Sequence, residues 1–359
     1  MRFGINFFPT LGPSDRSAAQ YYDESLRLTE LADELGFDHV KTVEHYFFRY
    51  GGYSPDPVTF LAAAAARTRR LRLVTGAAIP AFTHPVKLAA KLAMLDNISR
   101  GRLDVGFGRA FLPDEFEAFQ VPLDESRDRF DENVEAIRRL WTEQDLVWEG
   151  RFHRFGPVTL LPRPYQRPHP PILVATAFTP ESGERAGRNG YGVLLVPSIS
   201  SREHVQEMLR VYRAGRAEGG HDPQGGQVHM SYTLSVAEDG DRAREAGRRQ
   251  IEHYTASLVE AVESWGRARS SAYAGYERLA EKVRKADYRQ QLAENKVLAG
   301  TPEEVAAQLA EVREWFGDVT VSLQVNSGTA TYREAEQSLR LFAEHVLPRL
   351  GAAGSPVGS

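Results

Sequence analysis

The chain has 359 residues, 42% of them hydrophobic, and a net charge of −4, which is enough material for one large domain or two ordinary ones. It contains no cysteine, which excludes disulfides, thiolate nucleophiles, zinc–thiolate clusters and iron–sulfur centres. Its 44 basic residues are nearly balanced by 48 acidic ones, so the sequence lacks the positive excess typical of a nucleic-acid-binding protein.

The N-terminus, MRFGINFFPT, has one basic residue and a proline at position 9, and it lacks the apolar core of a signal peptide. The longest apolar stretch, Phe60–Ala66, is far shorter than the roughly 18 residues that suggest a membrane span. We therefore expect a soluble cytoplasmic protein with no membrane segment.

Apolar runs of strand length alternate with helical patterns along the chain, as expected when parallel strands are connected by helices. The predicted strands are Arg2–Phe8, His39–Glu44, Leu71–Ile79, Leu103–Phe107, Ile172–Ala175, Gly192–Pro197, His229–Val236 and Val319–Val325. The predicted helices are Ala18–Leu35, Pro57–Arg69, Pro85–Ile98, Ser126–Gln144, Pro180–Arg188, Glu203–Glu218, Pro302–Phe316 and Tyr332–Leu347. An open doubly wound sheet gives the same alternation, but eight units in one chain favour a closed (β/α)8 TIM barrel.

Two segments exceed the minimal barrel and predict insertions after strands 4 and 7. The first, Leu146–Pro171, is rich in proline, and its Trp148–Phe155 stretch predicts a hairpin. The second, Gly240–Ala299, is highly charged and predicts helix with an interruption around Trp265–Tyr276. It is either a lid over the active site or a solvated helical extension. We expect one domain over residues 1–350 and a disordered tail over 351–359.

Candidate functional residues follow the predicted strands, because active sites of such barrels lie at the carboxyl ends of the strands. The second strand ends in Glu44-His45-Tyr46, where the histidine is either a proton-transfer group or a structural residue. The fourth ends in Gly106-Phe107-Gly108-Arg109, which is either a phosphate- or carboxylate-binding turn or a tight turn with a structural arginine. It lacks the third glycine of a dinucleotide-binding fingerprint.

Small and hydroxylated residues follow the fifth strand. There Ala175, Thr176, Ala177 and Thr179 lead into a helix that begins at Pro180, and its start is either an anion site or an ordinary N-cap formed by Thr179. After the third strand, Gly76 and Ala77 offer a floor of small residues for a flat ring.

Several catalytic motifs are missing from the sequence. It has no His-Glu-x-x-His, phosphate-binding Gly-x-x-x-x-Gly-Lys or Gly-x-Ser-x-Gly motif, and no His and Asp cluster at metal-ligand spacing. A glycosidase-like carboxylate pair stays open, with Glu44 and Glu115 as its candidates.

An ordered set of short motifs resembles the bacterial luciferase-like family of flavin-dependent monooxygenases, and especially the luciferase α subunit (alkanal monooxygenase). The resemblance runs almost end to end. The motifs are Glu44-His45-Tyr46-Phe47, Thr83-His84-Pro85-Val86, Leu95-Asp96-Asn97-Ile98-Ser99-Arg100-Gly101-Arg102, Gly106-Phe107-Gly108-Arg109, Pro168-His169-Pro170-Pro171-Ile172, Gly300-Thr301-Pro302-Glu303-Glu304 and Leu341-Phe342-Ala343-Glu344-His345-Val346-Leu347-Pro348.

The resemblance implies a barrel that binds reduced FMN, which a separate reductase supplies, and that uses O2 through a flavin C4a-hydroperoxide to oxygenate a small organic substrate. Hydroxylation, epoxidation and Baeyer–Villiger insertion all stay open. The resemblance also implies a homodimer formed by the second and third helices.

Site roles carry over by position. His45, supported by Glu44, matches the catalytic histidine, and Arg109 matches the arginine that binds the flavin phosphate. Thr176, Ala177 and Thr179 fall in the phosphate loop, and Gly76-Ala77 matches a non-prolyl cis peptide. Phe8, Tyr46, Phe47 and Phe111 are expected to form apolar walls of the substrate pocket.

Two positions depart from the luciferase subunit. Tyr46 replaces a second histidine and Gly108 replaces a cysteine beside the flavin, so we expect oxygenation of a substrate other than a long-chain aldehyde. The alternatives are an oxidoreductase of the same fold that uses the deazaflavin F420, and a non-catalytic flavin-binding protein.

Overall fold

Parallel strands close into a barrel in the computed structural model, which describes residues 1–176 and 179–351. Strands β1, β2, β3, β4, β7, β8, β9 and β11 form the barrel in that order, and pairing of β11 with β1 closes it. The strands are β1 (Arg2–Phe7), β2 (His39–Thr42), β3 (Arg72–Ala78), β4 (Leu103–Phe107), β5 (Leu146–Glu149), β6 (Arg154–Val158), β7 (Ile172–Ala175), β8 (Gly192–Leu195), β9 (Val228–Val236), β10 (Val297–Gly300) and β11 (Thr320–Gln324).

Helices connect successive barrel strands, which confirms the predicted (β/α)8 barrel. They are α1 (Ala18–Glu34), α2 (Pro57–Arg67), α3 (Pro85–Ile98), α4 (Pro113–Ala118), α5 (Ser126–Thr142), α6 (Pro180–Arg188), α7 (Arg202–Glu218), α8 (Gly240–Val262), α9 (Leu279–Arg284), α10 (Tyr288–Ala293), α11 (Pro302–Phe316) and α12 (Tyr332–Leu341). The helix predicted over Tyr332–Leu347 ends earlier, because a π-helical turn follows at Phe342–Val346.

Alternate strand residues face opposite sides of the barrel wall, because successive side chains in a strand point to opposite faces. Ile5 and Val40 are fully buried in one large apolar cluster with the helix residues Leu28 and Leu61. Their neighbours Asn6 and Lys41 are polar and also buried. The interior of the barrel is thus partly polar, which bears on the site described below.

The insertion after β4 contains the predicted hairpin, formed by antiparallel pairing of β5 with β6. The insertion after β9, which we call the cap (residues 240–293), contains α8, several short turns, α9 and α10. The prediction of helix up to Ala299 was wrong at its end, because Val297–Gly300 forms β10.

Strand β10 pairs in parallel with the last four residues of β9. It covers backbone groups of β9 beyond Thr233, where the pairing of β9 with β11 ends. The four-residue run is buried and apolar. Because it directly follows a long charged helical stretch, the sequence pattern does not predict a strand there.

A capping box is present at the start of α11, where the Thr301 hydroxyl and the Glu304 carboxylate each accept from the other's backbone amide. Thr179 stands at the N-cap of α6, but its hydroxyl pairs with the Ser182 hydroxyl at 2.8 Å and makes no capping bond. Within the described residues, no helix is long and apolar enough to cross a membrane. The predicted disordered tail, apart from Gly351, lies outside the described residues, as does Ala177.

Candidate active site

A cavity of about 1070 Å³ opens at the carboxyl ends of the barrel strands. Pockets for small ligands are usually about 300–1,000 Å³, so this cavity has room for a cofactor together with a substrate. The cap supplies part of its wall through residues of α8, α9 and α10. The predicted site residues that line it are Phe8, Glu44, His45, Gly76, Ala77, Gly108, Arg109, Phe111, Ala175, Thr176 and Thr179.

His45 follows β2 and is held by a carboxylate from another part of the chain. Its Nδ1 lies 3.1 Å from Oε1 of Glu115 on α4, and the Tyr46 amide donates to the same oxygen at 2.9 Å. Glu115 is fully buried, and its second oxygen has no partner in the described structure. This arrangement fixes the imidazole ring and leaves Nε2 as the free nitrogen, a geometry typical of a histidine that transfers protons.

Glu44 bonds to groups other than His45. The Tyr46 hydroxyl donates to its Oε1 at 2.7 Å and the Ile79 amide to its Oε2 at 2.9 Å. Burial raises the pKa of Glu44 to about 7, although these two hydrogen bonds act in the opposite direction. The sequence-based hypothesis that Glu44 supports His45 therefore needs correction, since Glu115 holds that place.

The floor of the cavity is built from small residues. The peptide bond between Gly76 and Ala77 is cis, as the family resemblance implies. A methyl group on Gly108 would lie 3.1 Å from the Cβ of Ala77 and 3.9 Å from that of Ala175. Gly108 thus keeps a narrow space open between two alanine side chains, where a flat ring can approach the backbone.

Positive charge gathers at one end of the cavity. The guanidinium of Arg109 lies 4.2 Å over the Tyr273 ring and donates from Nη2 to the Ala272 carbonyl, whereas its buried Nη1 has no partner in the described structure. Arg127 lines the same cavity, and burial, with the nearby Arg109, holds its pKa below the ordinary value. The geometry suits a bound anion such as a phosphate.

Aromatic rings surround His45 on its cavity side. The ring centroids of Phe8, Tyr50 and Phe111 lie 5.7, 5.0 and 5.9 Å from that of His45. Tyr254 of the cap joins them, with its hydroxyl 3.4 Å from that of Tyr50. Together they form an apolar compartment beside the imidazole.

Tyr46 and Phe47 lie outside the cavity lining, unlike Phe8 and Phe111. Tyr46 packs against Phe119 with ring centroids 4.8 Å apart, and Phe47 is 64% exposed. Because His45 points into the cavity, the next side chain along the chain points away from it.

The cap is tied to the segment that follows β4. Trp265 Nε1 donates to the Phe111 carbonyl at 2.9 Å, and the Tyr273 hydroxyl donates to the Ala110 carbonyl at 2.8 Å. With the bond from Arg109 to Ala272, these contacts place the cap over the arginine and the aromatic compartment.

Several residues of the site are not predicted from the sequence. Tyr50, Arg127 and Tyr254 follow no strand directly and belong to no recognisable motif. The sequence indicates Glu115 only as one half of a candidate carboxylate pair with Glu44. Nothing in the sequence could show that α4 carries its carboxylate back to His45, because the two residues are 70 positions apart.

These residues fit a flavin with a phosphate tail. The unpaired, buried Nη1 of Arg109 and the unpaired hydroxyl of Thr176 can receive the phosphate. The Gly76-Ala77 and Gly108 floor leaves space for a planar ring system.

Sequence comparisons with known proteins also identify flavin-dependent relatives. The sequence profile of the luciferase-like monooxygenase family matches residues 1–318. The oxygenase component of the flavin-dependent trigonelline monooxygenase of Acinetobacter baylyi is 35% identical over 58% of each chain, so the match spans less than two thirds of that relative. An alkanal monooxygenase α chain of Photobacterium leiognathi is 26% identical over 94% of this chain and 96% of its own.

Solved structures also resemble this chain. The crystal structure of monooxygenase RslO1 from Streptomyces bottropensis is 61% identical, with a TM-score of 0.87 over 97% of this chain and 99% of its own. An F420-dependent secondary alcohol dehydrogenase, 19% identical, shares the fold alone, with a TM-score of 0.73 over 98% of this chain and 99% of its own. The chain therefore belongs to the luciferase-like monooxygenase family.

Proposed function

We propose that the protein is the oxygenase of a two-component flavin system, which uses reduced FMN and O2 to oxygenate a small apolar organic substrate. The observation that carries the proposal is the pairing, in one cavity, of an arginine with a free buried nitrogen and a histidine oriented by a buried carboxylate. The first suits a flavin phosphate and the second suits proton transfer.

Each group has a separate task in this proposal. Arg109, Arg127 and the start of α6 bind the phosphate, and Gly76-Ala77 and Gly108 accept the ring. The chemistry that a reduced flavin supplies is a two-electron activation of O2, in which one oxygen atom enters the substrate and the other leaves as water. His45 gives or takes a proton at Nε2, and the aromatic compartment with the cap excludes water from that place.

A separate reductase is the proposed source of reduced flavin. The sequence has no dinucleotide-binding fingerprint at Gly106–Gly108, so it offers no evident site for a nicotinamide reductant. The trigonelline relative, which is named as an oxygenase component, supports the same arrangement.

The test is to supply the protein with FMN and a flavin reductase in air, with NADH and a panel of apolar ketones, alkenes and aromatic compounds. When the same reaction is run under 18O2 with all components present, we expect 18O in a product, and we expect none when the reductase or the protein is omitted. Reduced F420 without O2 is the parallel experiment. Reduction of a substrate under those conditions would favour the F420 alternative, and flavin binding with no turnover in either experiment would favour a non-catalytic flavin-binding protein.

We also propose that the protein is a homodimer formed through α2 and α3. Exposed apolar side chains support this: Met94 and Ile98 on α3, and Leu161 and Tyr165 of the following insertion, which we together call the α3 patch. These four side chains are 51%, 48%, 79% and 58% exposed.

A further inference from the structure

A lysine lies buried inside the barrel beneath the proposed flavin site. Lys41 of β2 is 3% exposed, and its ammonium group donates to the Ser231 hydroxyl of β9 at 2.6 Å. Its stem runs directly under Gly76, because a methyl group placed on that glycine would lie 2.4 Å from both Cγ and Cδ of the lysine. Ser231 lines the cavity, whereas Lys41 stands behind it.

No carboxylate of the described residues lies within ion-pair distance of this ammonium group. Lys41 interacts electrostatically with two buried histidines, His39 on the same strand and His229 on β9. Burial holds the pKa of both well below the ordinary value, which favours their neutral forms. Beyond them stand the cations Arg2 and Arg72, of which Arg72 is paired with Asp104 at 2.6 Å. The surroundings of Lys41 are therefore neutral or positive.

An unpaired buried ammonium is unfavourable, because burial removes its hydration and no negative charge compensates for the loss. Burial accordingly lowers the pKa of Lys41 to about 7. A negative charge resting on the cavity floor would reverse this effect and favour the protonated lysine. We therefore expect the negative charge that would stabilise the Lys41 ammonium group to come from a bound ligand and not from the protein.

We propose that Lys41 is a positioning residue that acts through Ser231 to make the cavity floor prefer the anionic ring of reduced flavin over the neutral ring of oxidised flavin. This rests on the proposed function. Oxidised and reduced FMN carry the same phosphate, so the contribution of Arg109 cancels when the affinities for the two forms are compared. The ratio of the two affinities isolates the effect of the floor on the ring.

The test measures the dissociation constants of oxidised and reduced FMN, without O2, for the wild type, Lys41→Met and Lys285→Met. Met keeps the length and removes the charge, and Lys285 is a matched control because its side chain is 74% exposed on the cap. We expect the wild type and Lys285→Met to bind reduced FMN more tightly than oxidised FMN. We expect Lys41→Met to reduce that preference by about tenfold, which equals about 30 mV in the two-electron potential of bound FMN.

A second variant keeps the test interpretable if Lys41→Met fails to fold. Ser231→Ala keeps the ammonium group and removes only its contact with the cavity, and we expect it to reduce the preference by about threefold. If the ratio of the dissociation constants of oxidised and reduced FMN is unchanged in both Lys41→Met and Ser231→Ala, the proposed role of Lys41 is wrong. Failure of the wild type to bind either form of FMN overturns the proposed function instead, so the two failures are distinguishable.

Discussion

At the scale of single residues, the site combines two groups whose roles depend on what their neighbours leave free. His45 uses Nδ1 on Glu115 and keeps Nε2 for chemistry, and Arg109 uses Nη2 on the cap and keeps Nη1 for an anion. The sequence identified both residues because each follows a strand. It could not identify Glu115 as the partner of His45, because that contact depends on where α4 lies after folding.

Replacement of His45 by glutamine tests its role in proton transfer. Gln fits the space but does not titrate, so we expect the oxygenation rate to fall by roughly 10²- to 10⁴-fold, with the affinity for reduced FMN almost unchanged. Product formation and released hydrogen peroxide, measured together, report how much flavin oxidation is coupled to product. His345→Gln, at an exposed histidine near the C-terminus, is the control. Full, coupled oxygenation by His45→Gln would remove His45 from the mechanism.

Replacement of Arg109 by methionine tests the phosphate site. Hydrogen bonds to charged groups contribute about 1.5–3 kcal/mol, so we expect FMN to bind about tenfold to a hundredfold more weakly. Riboflavin lacks the phosphate and provides the control ligand, whose affinity should change little. Equal losses for FMN and riboflavin, measured by fluorescence titration, would mean that Arg109 acts through the cap and not on the phosphate.

The raised pKa of Glu44 predicts a pH-dependent stability. Its pKa is about 7 in the folded protein against an ordinary 4.5, so above pH 4.5 the unfolded state loses its proton first. The folded state is therefore destabilised progressively up to about pH 7, by at most about 3 kcal/mol. We expect Glu44→Gln to gain stability relative to wild type at pH 8 but not at pH 4.5 in urea unfolding. Glu260→Gln, at an exposed carboxylate on α8, should show no such difference between the two pH values.

At the scale of elements, hydrophobic periodicity predicted the barrel because every barrel strand is a short apolar run between helical patterns. The same reasoning failed at β10, whose four residues are too few to stand out after the charged helices of the cap. It also gave no sign of Lys41, because a lysine between Val40 and Thr42 reads as a surface position in an alternating strand. Only the closure of the barrel puts that side chain inside.

The contacts of the cap with the segment after β4 predict that loosening the cap exposes the site to water. Trp265→Phe removes the donor to the Phe111 carbonyl, and we expect a loss of about 1–3 kcal/mol in stability because that carbonyl loses its partner. We also expect faster proteolysis within residues 263–278 and a larger share of flavin oxidation ending in hydrogen peroxide. Trp315→Phe on α11 is the control. Unaltered proteolysis in Trp265→Phe would show that this bond does not hold the cap.

At the scale of the whole molecule, the barrel separates two kinds of surface. The cavity lies at the carboxyl ends of the strands under the cap, while the α3 patch lies on the outer ring of helices. The segment that carries Leu161 and Tyr165 is held against α3, because the Asn97 side-chain amide donates to the Arg163 carbonyl at 2.7 Å.

Charge placed in the α3 patch should therefore dissociate the proposed dimer without disturbing the site. In the double variant Met94→Lys and Ile98→Glu, dimer formation would bury both charges and remove their hydration, which is unfavourable. We therefore expect sedimentation velocity to show a monomer where the wild type is a dimer. FMN affinity should be retained, since neither residue lines the cavity. Reversal of the Arg210–Glu207 ion pair on α7, by Arg210→Glu with Glu207→Lys, introduces comparable charge changes elsewhere on the surface and should leave the dimer intact. A wild type that sediments as a monomer, or a double variant that stays a dimer, would show that the α3 patch has another purpose.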